Sequence, residues 1–158
     1  MRFIKLLFFA LLLGGFAASC GSNTSSKAEE QTQTETPEQA EQAAWEQMME
    51  VHDEVMPKVG ELNRTGRELK SIAESTDDKA VKEQINQKVK NLEAASEAMM
   101  VWMGELQQLS KLRENKSHEE ITSYLEAEKA EIDQVGEKMM KSLEEGQQLL
   151  AELQEQQK

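Results

Sequence analysis

WEQMMEVHDEVMPKVGELNRTGRELKSIA, residues 45–73, decides the fold. Taking Trp45, Met48, His52, Val55, Val59, Leu62, Gly66, Leu69 and Ala73 as its inward positions, the steps alternate three and four without a slip. That is a heptad seam on one long helix, and an apolar stripe of this length needs partner helices to cover it. Pro57 is the obvious objection, because an interior proline removes one backbone hydrogen bond and crowds the preceding turn at a cost of about 3 kcal/mol. The seam nevertheless keeps phase across it, and neither Val55 nor Met56 is a residue that caps a new helix. With His52 at an a position, Pro57 falls at f and points to solvent, where water reaches the Asp53 carbonyl that loses its partner. A kink is expected rather than a break.

Upstream, Thr36-Pro37-Glu38-Gln39 is a helix start: Thr36 caps, Pro37 suits the first turn and Gln39 completes a capping box. Downstream, Ser75-Thr76-Asp77-Asp78 and Ser117-His118-Glu119-Glu120 repeat the capping-box spacing, and Lys111 and Arg113 sit where a second helix would end. The second seam reads Val81, Ile85, Val89, Leu92, Met99, Trp102, Met103, Leu106 and Leu109. The third reads Ile121, Leu125, Ile132, Val135, Met139, Leu143, Leu149, Leu150 and Leu153, weakened by Glu128, Ser142 and Gly146 on inward phases. Residues 36–158 are therefore expected to form an all-α, up-down-up antiparallel three-helix bundle, coiled-coil-like, with helices over about 37–74, 76–114 and 118–157. Helices near 38 residues would be about 57 Å long, and turns of about three residues force them to fold back on one another.

Pairing about those turns places residue i of the first helix near 152 − i on the second and i + 80 on the third. Gly66 then lies beside Gly146, with Ile85 and Val89 opposite. Trp102 lies against Met49 and Ala130, and Trp45 against Leu106 and Leu125. Both indoles are expected as core anchors.

Residues 1–19 are a different kind of sequence. Arg2 and Lys5 precede an unbroken apolar run, Leu6 to Leu13, which is too short to span a membrane and has the form of a signal peptide. It leads into Phe16-Ala17-Ala18-Ser19-Cys20, which resembles a bacterial lipobox, departing from it in having Ala17 where Leu is usual. Cys20 is the sole cysteine of the chain, so it has no internal disulfide partner. Lipidation there is the expectation, and more than one acyl chain on Cys20 would make the anchor stable. Residues 20–35 then comprise the lipidated cysteine and a linker, GSNTSSKAEEQTQTE, with nothing apolar larger than alanine, expected to be disordered with a reach of about 20 Å. Residue 21 is Gly rather than the Asp that marks inner-membrane retention in well-studied lipoproteins. That resemblance implies the outer membrane, facing the periplasm or the cell surface.

Charge narrows the partners. Without Arg2 and Lys5, 16 basic side chains face 30 acidic ones, a net charge of −14. Phosphate backbones are repelled, so no nucleic acid is expected. The acid is uneven, 11 acidic against 3 basic over residues 118–157 but 7 against 6 over 76–114, which suits the middle helix as neighbour to both others.

Chemistry-bearing patterns are few. Met48, His52 and Met56 are spaced four apart on one face, and Met99 and Met103 should lie at nearly the same height. Thioethers with an imidazole are soft ligands suited to Cu(I). The competing reading is that methionines fill gaps and a polar a-position residue fixes register. Haem lacks a C-x-x-C-H motif, and a di-iron site lacks Glu-x-x-His, since Met49 and Asn115 stand three before the histidines. Glycine elbows and phosphate-cradling loops are missing from the sequence, and His118 is expected exposed in a capping turn. No catalysis, cofactor or small-molecule substrate is expected.

Ala44 to Arg64, AWEQMMEVHDEVMPKVGELNR, together with the cysteine motif, resembles a family of small bacterial lipoproteins often labelled viral A-type inclusion protein. The match rests on Trp45, Met49, His52, Asp53, Glu54, Met56 and Pro57, and the family brings no activity with it. The expected role is a membrane-anchored cell-envelope lipoprotein acting as a helical interaction or spacer module with an envelope protein partner. Two alternatives are a copper-binding protein using Met48, His52 and Met56 with Met99 and Met103, and a periplasmic holdase-type chaperone.

Overall fold

Thr36 opens the first helix with a reciprocal capping box: its N–H donates to Gln39 Oε1 at 2.9 Å, and the Gln39 N–H donates to Thr36 Oγ1 at 3.3 Å. The computed structural model describes residues 35–156. The signal segment 1–19, Cys20, the linker as far as residue 34 and the last two residues lie outside the described residues. Helices α1 (Pro37–Val55), α2 (Lys58–Ser75), α3 (Lys79–Glu105), α4 (Leu109–Asn115) and α5 (His118–Gln156) follow in order, and no strand occurs among the described residues. The fold is all-α.

α1 and α2 correspond to the single helix expected over 37–74. Met56 and Pro57 keep right-handed helical backbone angles, φ −55° ψ −40° and φ −59° ψ −23°. The Met56 N–H still donates to His52 O at 2.8 Å, and the Val59 N–H reaches Met56 O at 3.1 Å, one residue short of α spacing. Proline thus tightens one turn without reversing the chain, and the seam keeps its phase. Met48, Val55, Leu62, Gly66 and Leu69 are buried, while Trp45, His52, Val59 and Ala73 are half-buried.

α3 begins three residues later than the expected boundary at 76. Asp78 rather than Ser75 caps it, accepting from the N–H groups of Ala80 at 2.8 Å and Val81 at 3.2 Å, while the Ser75 hydroxyl donates to Ile72 O. An aspartate with two N–H donors in reach is the better N-cap.

The unbroken helix expected over 76–114 is a correction. Leu106, Gln107 and Gln108 lie outside any helix, with Leu106 at φ −61° ψ 121° and Gln108 at φ −63° ψ 135°. Gly104 weakens the last turn of α3 by about 1 kcal/mol relative to alanine. The Gln107 N–H freed by the break donates to the Tyr124 hydroxyl at 2.8 Å. Burial raises the Tyr124 phenol above its ordinary range, opposed by that donor and reinforced by Glu128. The reorientation lets Leu109 and Leu112 of α4 pack with Ile121 and Leu125 of α5 and with Ala44, Trp45 and Tyr124.

Packing joins α1 to α5, α2 to both α3 and α5, and α3 to α5. Two glycines set the closest approaches. A Cβ on Gly136 would lie 3.3 Å from Val55 Cγ1, so α5 can lie close against α1 there. One on Gly146 would meet Leu92 Cδ1 at 3.0 Å and Thr65 Cγ2 at 3.2 Å. Leu92 also faces Gly66, at 4.0 Å from the position of its missing Cβ. The expected glycine layer therefore exists, filled by Leu92 in place of Ile85 and Val89. α3 sits about one and a half turns out of the expected register at this height, whereas His52 and Trp102 meet close to it. The Pro57 turn, which tightens the first strand of the pairing, lies between the two levels.

Candidate functional site

Of the residues expected to form a soft-ligand cluster, the structure turns some inward and some out. Met48 and Met99 are fully buried, both at 0% exposure. Met56, one turn beyond His52, is half-buried against the same core. Met103 is a correction: at 39% exposure it faces solvent, because the α3 stripe passes through Met99 and Trp102 and a single-residue step swings the next side chain about 100° away. Met100 and Val101 are likewise outward, at 50% and 48%.

His52 is inward, with its side chain 13% exposed. Its ring lies 5.9 Å from the Trp102 indole, centroid to centroid, tilted by 32°. Of the expected neighbours of Trp102, Met49 packs against the cluster that contains the indole and Ala130 is exposed, while the ring beside the indole is the His52 imidazole. α1 packs chiefly on α5, and the two rings are a point at which it also meets α3. Trp45 is half-buried and packs against both apolar clusters, the second of which contains Leu125.

Hydrogen bonding around these rings is one-sided. His52 Nδ1 pairs with Asp53 Oδ1 at 2.8 Å, so with the proton on Nδ1 the imidazole donates to the carboxylate and carries a lone pair on Nε2. His52 Nε2 and Trp102 Nε1 are both buried and have no hydrogen-bond partner. A buried polar atom left in this way costs about 1–3 kcal/mol, and neither ring is needed in its polar form merely to fill space. Among the described residues no three His, Cys, Asp or Glu side chains converge, so a hard divalent cation finds no carboxylate cage.

A second constellation escaped the sequence reading. Glu41, 4% exposed, accepts from Arg113 Nε at 2.7 Å and pairs with His118 Nδ1 at 2.9 Å, while Arg113 Nη2 donates to the Glu38 carbonyl at 2.8 Å. His118 is exposed as expected, yet it closes this clasp between the first turns of α1, the end of α4 and the start of α5. Ser117 caps α5 alongside, exchanging hydrogen bonds with Glu120 as its spacing predicts. Burial pushes the Glu41 carboxyl up, but the hydrogen bonds and charge of Arg113 and His118 outweigh it and hold the group below the usual glutamate range.

A depressed carboxylate contributes stability that is present above its unfolded value, about 4.3, and is lost as pH falls through the folded value beneath it. Glu41→Gln is therefore expected to cost about 1–2 kcal/mol at neutral pH, discounted because Arg113 and His118 are partly exposed. The difference from the wild type should shrink steadily below pH 4.3. Urea midpoints measured for both proteins from pH 7 to 3 check this; a pH-independent gap contradicts it.

Elsewhere the ion pairs are superficial. Lys70–Glu93 at 2.6 Å and Lys88–Glu145 at 2.8 Å bridge neighbouring helices, and Lys88 holds the Glu145 carboxyl below its usual range. One surface trough runs along α1, lined by Gln42, Trp45, Glu46, Met49, Glu50 and Asp53, open to solvent. No family model, curated protein or solved structure matches the chain.

Proposed function

We propose that the protein is a membrane-anchored cell-envelope lipoprotein whose helical body serves as an interaction or spacer module and performs no catalysis. In this reading α1 with α2, α3 with α4, and α5 act as three rods of an up-down-up bundle. Cys20 would carry the lipid, residues 21–35 would give the body its reach, and the outer membrane would be its site. Membership of the small-lipoprotein family suggested by Ala44 to Arg64 belongs to the same proposal.

The observation that carries it is the contrast between interior and surface. Large side chains such as Met48, Leu62, Leu69, Ile85, Leu92, Met99 and Ile132 are almost wholly withdrawn from solvent. The concavity on α1 is an open trough rather than a chamber that could enclose a substrate. No described helix is long and apolar enough to cross a membrane, so attachment in this reading falls to the lipid. The outward Met100, Val101 and Met103 give the surface of α3 a short apolar strip on which a protein could rest.

That strip also favours a second reading, a holdase that offers methionine side chains to unfolded clients. Photo-crosslinking in cells from position 100, with position 147 on α5 as control, separates the two. A few discrete adducts specific to position 100 support the interaction module, and a broad smear supports the holdase. Adducts no stronger than those from position 147 overturn both. Cys20→Ser is expected to move the protein from the membrane to the soluble fraction and abolish labelling by an alkynyl fatty acid. Unchanged membrane retention of that variant would overturn the anchor.

A further inference from the structure

We propose that the groove between α1 and α3 at the level of His52 is a docking site for a basic amphipathic helix of a protein partner. The proposal rests on the interaction-module reading and gives that partner its chemistry.

The Lys70–Glu93 ion pair, 2.6 Å across, marks where the outer edges of α2 and α3 face each other. Along α3, Met100 follows Glu93 by seven residues, two turns down the same face, and Met103 lies one turn further. Along the other wall, Met56 and Met49 precede Lys70 by fourteen and twenty-one residues, and the seam keeps its phase through Pro57, so they share its edge. Leu92 faces Gly66 and Trp102 meets His52, so the two walls run antiparallel. Met49 then stands within about one turn of the height of Met103, and Met56 within about one turn of that of Met100. What is an ion pair at Lys70 has become, lower down, two facing rows of thioethers. Met100 and Met103 are exposed, and Met49 and Met56 are half-buried. Trp45, also half-buried, continues the α1 row four residues before Met49. From Trp45 to Met56 that row is about 16 Å long, three turns of helix.

The rim of this groove carries one sign of charge. Residues 37–55 include no lysine or arginine, and neither do residues 91–110. Glu46, Glu50 and Asp53 line the trough beside Trp45 and Met49. Glu46 accepts a hydrogen bond from the neutral Gln42 amide, and neither it nor Glu50 forms an ion pair among the described residues. Flexible thioethers adapt to a helix whose apolar anchors recur every three or four residues. A lysine-rich flank on such a helix would lie over carboxylates that have no cation of their own. A second copy of this chain would instead set the same acids against one another, which like-charge repulsion disfavours.

The test titrates the full chain with Cys20→Ser, in non-ionic detergent, into a dye-labelled amphipathic peptide of leucine and lysine, about 18 residues or five turns long. Fluorescence anisotropy reads the binding, and peptides of the same pattern with glutamine or glutamate in place of lysine serve as comparators. One-to-one binding of the lysine peptide is expected, about tenfold tighter than that of the glutamine peptide and weakening as salt rises. Met100→Ser with Met103→Ser, at solvent-facing positions, should keep the helical circular dichroism and weaken binding by about tenfold. Glu46→Gln with Glu50→Gln should remove most of the preference for lysine over glutamine. Met140→Ser, at an exposed methionine of α5, should bind as the parent does. Every variant sits in the same micelle, so the differences report the groove. Equal affinity for the three peptides overturns the proposal, and so does a folded Met100 and Met103 variant with unchanged affinity. Self-association that this variant abolishes would make a second copy the occupant and overturns it as well. Discrete cellular adducts at position 100 without affinity for the lysine peptide would retain the interaction module and remove the basic helix. Peptide affinity without cellular adducts would keep the groove and remove the envelope role.

Discussion

Replacing Trp102 with alanine is expected to destabilise the protein by about 3–5 kcal/mol, the range for removing a large aromatic from a packed interior. The residue is 2% exposed, its ring lies beside that of His52, and it belongs to the main apolar cluster. Truncation would leave a void nearly the size of an indole inside that cluster, so the upper part of the range is expected. Trp102→Phe makes the sharper comparison. It retains most of the apolar ring and removes an N–H that makes no hydrogen bond, so it should cost less than half as much. Urea denaturation of the three proteins measures both effects, with an unchanged m-value as the sign that stability alone has moved. Phenylalanine as costly as alanine would mean that the indole nitrogen matters to the fold.

Leu92→Ala is the second large effect, expected at about 3–5 kcal/mol. Leucine truncations in interiors span about 2–5 kcal/mol, according to how far the surroundings relax. Here the relaxation is poor, because the positions facing Leu92 on both sides are Gly66 and Gly146, which have no side chain to swing into the void. Gly146→Ala alone should also be unfavourable, by about 1–2 kcal/mol. Its helix-propensity gain of about 1 kcal/mol is outweighed by a methyl placed 3.0–3.2 Å from the Leu92 methyls and Thr65 Cγ2. In the double variant the new methyl occupies the space the leucine vacates. The pair should be less damaging than the sum of the singles by about 1–2 kcal/mol. Additivity within 0.3 kcal/mol would show that the two residues do not share a cavity.

The parts of the fold legible from sequence are those whose physics is local. Thr36 with Gln39 and Ser117 with Glu120 can be read from spacing because a capping box closes within three residues. Pro57 could be judged tolerable from the phase of the seam on either side, since a helix that keeps its stripe has not changed direction. The break at Leu106–Gln108 was not legible. The partner that satisfies it is Tyr124, seventeen residues downstream, whose hydroxyl takes the Gln107 N–H that a continuous helix would have spent internally. The failure at Met103 has a related origin, because the stripe of α3 stops near Trp102 and continues on the reoriented α4.

The candidate site divides in the same manner. Periodicity located His52 and its methionines on an inward face, but its contact with Trp102 and the unpartnered Nε2 depend on how two separated segments meet. The Glu41 clasp was hidden more completely. Its arms come from 72 and 77 residues away, and Arg113 reaches it from a short helix that exists only because α3 stops early.

That clasp has a mechanical consequence. A pull on the chain ahead of Thr36 enters the body through the first turn of α1, where Glu41 is bolted to α4 and α5 before any of the large apolar side chains is loaded. Two charge-assisted bonds and an arginine on the Glu38 carbonyl would resist first, as a strain relief does at the end of a cable. Acid or the loss of Arg113 would remove that fitting and let α1 peel from its free end.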